Sequence, residues 1–148
     1  KQILGVYEKN LVKPFASVAK NLSMDHVLIV HGFDGLDEIT ITDSTYVAEL
    51  KDNSITEYQI SPKDFGLNLG KLSEISAQSP DDSLQLIREA FSGDQSAVQD
   101  MIALNAGAAL YLAKVVNSIA DGIELSFELM NNGMAADKLA SYVRVSNS

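Results

Sequence analysis

Apolar positions near the start of the chain fall into two short runs separated by a stretch of helical period. Gln2-Ile3-Leu4-Gly5-Val6-Tyr7 reads as a short apolar strand. Asn10 is placed to cap a helix in which Phe15, Val18, Ala19 and Leu22 recur at i, i+3, i+4 and i+7. Pro14 is expected in the first turn of that helix, where a missing N–H costs least. Residues 26–31 (HVLIVH) then carry Val27, Leu28, Ile29 and Val30 without a break, the pattern of a parallel strand covered on both faces. Strand, helix and strand within about 30 residues make a βαβ unit, with a right-handed crossover expected.

Beyond the segment GFDGLDE at 32–38 the period changes to two, with Ile39 and Ile41 alternating with Thr40 and Thr42. Tyr46 to Leu50 and Ile55 to Ile60 alternate in the same way and flank Lys51-Asp52-Asn53-Ser54, which predicts a β-hairpin with a four-residue loop. Ser61-Pro62 has the form of an N-cap followed by proline at the first helical position, and Gly66 stops that short helix. Residues 66–80 are weakly periodic and read as a mobile connection. The remainder is helical: about 81–91, about 95–116, from the cap Ser118 to near Gly133, and about 134–142, with a frayed polar tail after Arg144. The helix at 95–116 is apolar on nearly every side, so it is expected to be buried all round. The fold class is therefore α/β in one domain: a partial, mostly parallel central sheet with a β-hairpin, followed by a cluster of C-terminal helices.

Composition narrows the function. The 148 residues include no cysteine and two histidines, His26 and His31, which leaves no thiolate site and no multi-histidine zinc site. The net charge of −9, with the basic residues scattered, disfavours nucleic acid as a partner. No apolar run is long enough for a membrane span, and the start has neither the charged region nor the apolar stretch of a signal peptide. Lacking Met, it reads as a processed or engineered start.

Ligands of open α/β sheets bind beyond the carboxyl ends of the strands. There, beyond residues 26–31, the chain places two glycines, Gly32 and Gly35, and three carboxylates, Asp34, Asp37 and Glu38. Asp37 and Glu38 would point to opposite faces in a strand, but in a loop both can turn to one pocket. An oxygen-only ligand set suits Mg²⁺, Ca²⁺ or Mn²⁺, and a pair of acids suits Mg²⁺ best, because it keeps waters and shares substrate phosphates. A solvated surface turn has the same spacing and is the more common occupant of it. His31 admits a general-base role and, more commonly, a structural hydrogen bond. Tyr58 and Tyr111 read as packing residues, and Asn105 as either a satisfied core amide or a contact. No Walker loop, dinucleotide fingerprint or nucleophile elbow is present.

Residues 26–40, HVLIVHGFDGLDEIT, closely resemble the Val-Val-His-Gly-x-x-Gly-Leu-Asp-Glu stretch of anthranilate phosphoribosyltransferases. Residues 2–7, 55–58, 62–67 and the helix segment Leu104-Asn105-Ala106-Gly107-Ala108-Ala109-Leu110-Tyr111 resemble that family in the same order. The resemblance implies a Mg²⁺-dependent enzyme that joins anthranilate to phosphoribosyl pyrophosphate in tryptophan biosynthesis, cytoplasmic and homodimeric, with Asp37 and Glu38 as its acidic metal-binding pair. The family's Gly-Thr-Gly-Gly-Asp phosphate loop, its Lys-His-Gly-Asn and Asn-x-Ser-Thr segments and its anthranilate-facing arginine have no counterpart between Lys1 and Ser148. The expectation is a C-terminal portion of the α/β domain, without the N-terminal helical domain and inactive alone. The competing reading is a nucleic-acid-binding relative of the same fold that has lost transferase chemistry.

Overall fold

The computed structural model describes residues 1–148. Four strands, β1 (Gln2–Gly5), β2 (His26–Gly32), β3 (Thr45–Lys51) and β4 (Ser54–Ile60), form one sheet in the order β1-β2-β3-β4. The α/β class, the hairpin and the C-terminal helices are as the sequence predicts. The sheet is mixed, however: β1 and β2 are parallel, joined through α1 (Lys9–Asn21), while β2–β3 and β3–β4 are antiparallel. Residues 33–44 contain no crossover helix, so β3 returns directly alongside β2 in the opposite sense. The period-two stretch at 39–42 belongs to this loop and is no strand, although Ile39, Thr40 and Ile41 are buried. Lys51 pairs with Ser54, so the hairpin loop is two residues rather than four. Asp52 and Asn53 both have positive φ, 49° and 59°, the type I′ geometry that matches strand twist and that Asp and Asn tolerate.

The unbroken apolar run of β2 is explained by two cores. Leu28 and Val30 face Ile39, Ile41, Val47, Leu104 and Ala108 on one side of the sheet. Val27 and Ile29 face Val12, Ala16 and Ala19 of α1 on the other, together with Ala48 and Leu50. Helix α1 departs from expectation in detail. Its N-cap is Glu8, which places Asn10 in the first turn and Pro14 in the helix interior. It buries Val12, Ala16 and Ala19, and turns Phe15, Val18 and Leu22 outward. Small residues face the sheet because the helix packs close to it; the larger ones are displaced to the rim.

After β4 the chain makes a 3₁₀ turn (Pro62–Phe65) and then α2 (Leu72–Ile75), α3 (Pro80–Ala90), α4 (Ala97–Ala113), α5 (Ile119–Asn131) and α6 (Met134–Ser146). The last helix extends beyond the expected end near 142, and α2 lies inside the stretch expected to be irregular. Ser79, Ser96 and Ser118 cap α3, α4 and α5, each accepting a backbone N–H. Helices α4 and α5 cross at paired glycines: a Cβ on Gly107 would lie 2.7 Å from the Ile123 nitrogen. Contrary to the all-round burial expected, α4 buries only one side through Ala103, Leu104, Gly107, Ala108 and Leu112. Its opposite side, Ile102, Ala106, Ala109, Leu110 and Ala113, lines an open apolar groove with Phe91 and Leu129 of about 480 Å³. No helix is long and apolar enough to cross a membrane.

At the N-terminal end of β2 a polar cluster ties the sheet to α4. Glu49 accepts hydrogen bonds from His26 Nε2 (2.6 Å), Tyr111 Oη (2.8 Å) and Tyr58 Oη (2.9 Å). Burial acts to raise the Glu49 pKa, but these donors outweigh it and hold the carboxyl below its ordinary value. Burial and the Glu49 charge push the Tyr58 phenol up. Both tyrosines therefore pack, as expected, and also serve as donors.

Candidate functional site

The loop that follows β2 folds back on itself because its own polar groups close it. Gly32 N–H donates to the Leu36 carbonyl (2.7 Å), and Gly35 N–H to the Gly32 carbonyl (3.0 Å). Asp34 is the pin. Its Oδ1 accepts the Leu36 N–H (3.1 Å), while its Oδ2 accepts the hydroxyls of Thr40 (2.5 Å) and Thr42. Burial acts to raise the Asp34 pKa, yet the hydroxyl and N–H donors prevail and keep it low. The first of the three clustered carboxylates is thus occupied in shaping the loop, and only Asp37 and Glu38 remain free.

Asp37 and Glu38 are exposed, and neither side chain makes a hydrogen bond or an ion pair within the chain. Both line the same depression, of about 260 Å³, whose walls include Leu36, Ile75, Val98 and Met101. The alternation that a strand would impose is absent, because the loop turns both acids to one side. No group of three His, Cys, Asp or Glu forms a cluster of metal-binding geometry. Two adjacent carboxylates facing an open depression fit a hard divalent ion that takes its remaining ligands from water or from a substrate.

Two contacts hold this pair in place from behind. The end of β1 abuts the loop so closely that a Cβ on Gly5 would overlap the Asp37 carbonyl. From the other side, Asn105 of α4 clamps the residue after Glu38: its Oδ1 accepts the Ile39 N–H (3.1 Å), and its Nδ2 donates to the Ile39 carbonyl (2.8 Å) and to the Met101 carbonyl (3.0 Å). The role left open for Asn105 in the sequence is therefore a satisfied amide that positions the acidic loop. The Thr40 N–H donates to Thr45 Oγ1 (3.0 Å), completing the anchor to β3. The Thr-x-Thr spacing at 40–42 was visible in the sequence, but nothing there tied it to Asp34.

His31 has a separate place. It is buried, and its Nδ1 donates to the Val6 carbonyl (2.8 Å), the structural hydrogen bond that a strand-end histidine commonly makes. It lines a pocket with residues of α1 that does not include Asp37 or Glu38, so it stands outside the acidic depression.

The chain is 47% identical over 145 residues to an anthranilate phosphoribosyltransferase of Vesicomyosocius okutanii, a match covering 98% of this chain and 43% of that protein. A relative of the same name from Halorhodospira halophila is 45% identical over 143 residues, covering 97% of this chain and 42% of the relative. The chain thus spans about two fifths of the length of these curated relatives. The fold superimposes on the anthranilate phosphoribosyltransferase of Thermus thermophilus with a TM-score of 0.87 and 28% identity, over 97% of this chain and 42% of that one. The Saccharomyces cerevisiae enzyme in complex with PRPP and Mg gives a TM-score of 0.86 at 27% identity, over all of this chain and 43% of that one. The family model described as "Glycosyl transferase family, a/b domain" matches residues 1–136, and the chain belongs to that family.

Proposed function

We propose that this chain is the C-terminal part of the α/β domain of an anthranilate phosphoribosyltransferase, and that Asp37 and Glu38 hold the Mg²⁺ of that enzyme. The carrying observation is that these two acids, alone among the loop carboxylates, are unpaired and share one depression beyond the end of β2. The solved yeast relative in complex with PRPP and Mg supports the same metal and the same phosphorylated substrate. A structure of that enzyme in complex with 4-fluoroanthranilate supports an aminobenzoate as the acceptor. The enzyme would act in tryptophan biosynthesis, as a cytoplasmic homodimer. Its N-terminal helical domain and phosphate loop would come from outside residues 1–148, and this segment alone would not turn over.

When bound, Mg²⁺ would offset charge on the pyrophosphate that leaves C1 of the ribose as the anthranilate amine attacks. The residues of this chain do the positioning. Asp34, Gly5 and Asn105 fix the loop, and the loop presents Asp37 and Glu38 together. Replacing Asp37 with Asn and Glu38 with Gln in the full-length protein is expected to lower turnover by about a hundredfold or more and to raise the Mg²⁺ concentration needed for half-maximal rate, with thermal unfolding unchanged. Wild-type kinetics in that double variant would remove the metal role.

A further inference from the structure

We propose that a second site, separate from the depression of Asp37 and Glu38, binds a phosphate group between the start of α1 and His31. The pocket there is polar and about 650 Å³ in volume. It stands independently of the metal reading above, because none of its lining residues is a carboxylate of the acidic depression.

Three kinds of donor converge on it. The first is the start of α1, a helix of 13 residues whose N-cap Glu8 makes no side-chain cap and whose first turn carries no acidic residue. Its Leu11 N–H is satisfied by the Glu8 carbonyl, but the Lys9 and Asn10 N–H groups have no partner in the chain. Unsatisfied N–H groups at the positive end of a helix dipole are suited to an anion. The second is His31, nine-tenths buried, with Nδ1 held by the Val6 carbonyl and Nε2 left without a partner on the pocket wall. A buried imidazole nitrogen facing a polar pocket and bonded to nothing points to a missing ligand. The third is Lys9, whose ammonium lies 3.8 Å from the centre of the Tyr46 ring and joins no ion pair.

The lining also contains carboxylates. Glu57 is neutralised by Lys13 at 2.6 Å. Glu8 is unpaired and opposes an anion, with Lys9 beside it to offset it. Donors arriving from a helix end, a strand end and a flexible ammonium suit a tetrahedral group with several oxygens better than a planar carboxylate. With Nδ1–H committed to Val6, Nε2 is the ring atom free to face a phosphate monoanion or dianion. Phosphate esters populate both forms near neutrality, with a second pKa of about 6.

The test uses the full-length protein in metal-free buffer with a chelator, titrated with inorganic phosphate by calorimetry and by NMR of labelled histidine. Saturable binding that shifts the His31 ring signal is expected, weakened about tenfold in Lys9→Ala and in His31→Gln, each of which removes one charge-assisted bond. Lys9 is exposed, so Lys9→Ala reports even where His31→Gln disturbs folding. Displacement of phosphate by phosphoribosyl pyrophosphate would assign the site to the substrate's own phosphate; persistence of both would assign it to a separate phosphorylated effector. Either places phosphate here. Absence of saturable binding, or unchanged affinity in Lys9→Ala, overturns the proposal. Because no metal is present, loss of this site and loss of the Asp37–Glu38 reading are distinguished.

Discussion

Replacing Gly5 with alanine puts a single methyl group where the backbone of the acidic loop already is. The added Cβ would overlap the Asp37 carbonyl oxygen, with the Asp37 carbonyl carbon directly behind it. No side-chain rotation relieves this, because both partners are backbone. Ordinary carbon contacts are about 3.5–4.0 Å, so the loop or the end of β1 must retreat by more than about 1 Å. Gly5 is paired in register with Val30, and Val6 N–H donates to the Val30 carbonyl (3.0 Å), so β1 is held by the sheet and the loop is the softer side. Overpacking of this kind costs about 1–3 kcal/mol of stability, and misplacement of a reacting constellation by about 1 Å costs roughly a hundredfold in rate. The assay is steady-state kinetics of the full-length Gly5→Ala protein against Mg²⁺ concentration, beside urea unfolding. The expected result is a small loss of stability with a large loss of kcat and a raised Mg²⁺ requirement. Kinetics within threefold of wild type, whatever the stability, would refute the claim that β1 sets the position of Asp37.

Other elements yield sharper tests of stability than of rate. Asn105→Ala leaves the buried Ile39 N–H and carbonyl without partners; at about 1–3 kcal/mol for each unsatisfied group, partly relieved by water, urea unfolding should register a loss of about 2–3 kcal/mol, and a loss below about 0.5 kcal/mol would exclude the clamp. Glu49 is held below its ordinary pKa of about 4.3, so its contribution is fully present above that value and is lost as pH falls through its lower folded value. Glu49→Gln should therefore lower stability at pH 7 and flatten the acid-side slope of stability below about pH 5; an unchanged slope would deny the cluster this role. Asn53→Gly should raise stability by about 0.5 kcal/mol, since the second turn residue has φ of 59°, and thermal melting that shows no gain would argue against the type I′ turn.

Where period and burial coincide, the structure was legible in the sequence. The run Val27 to Val30 predicted a strand covered on both faces, and the two cores cover it. The cap Ser118 predicted the start of α5. Where a local rule competes with packing, the sequence pattern misleads. Asp-Asn is a less recognised type I′ pair than Asn-Gly, so the hairpin loop was read as two residues too long. In α1 the pattern Phe15, Val18, Ala19 and Leu22 carries the helical period, but the sheet contact buries Val12, Ala16 and Ala19, of which the pattern holds only the last. Asp37 and Glu38 were legible as candidates from their position beyond a strand end together with family likeness. The division of labour between them and Asp34 was not, because hydrogen bonds from Thr40 and Thr42 across a folded loop leave no periodic trace.

That division bears on how a metal and a phosphorylated substrate would meet here. A pair of exposed carboxylates with no third acid nearby offers Mg²⁺ an incomplete shell, so the bare ion should bind weakly. A chain with a net charge of −9 also opposes a diphosphate arriving without its counter-ion. Each ligand therefore lowers the cost of the other, and reciprocity requires that the coupling be the same in both directions. By holding Asp34 in hydrogen bonds, Thr40 and Thr42 keep the shape of the loop that presents Asp37 and Glu38 together, and the coupling depends on that presentation. Loosening the loop through a Thr40→Val, Thr42→Val pair should therefore reduce the effect of phosphoribosyl pyrophosphate on Mg²⁺ binding; titration of the full-length protein with Mn²⁺ by paramagnetic relaxation, with and without substrate, reads it, and a substrate effect as large as in wild type would refute the argument.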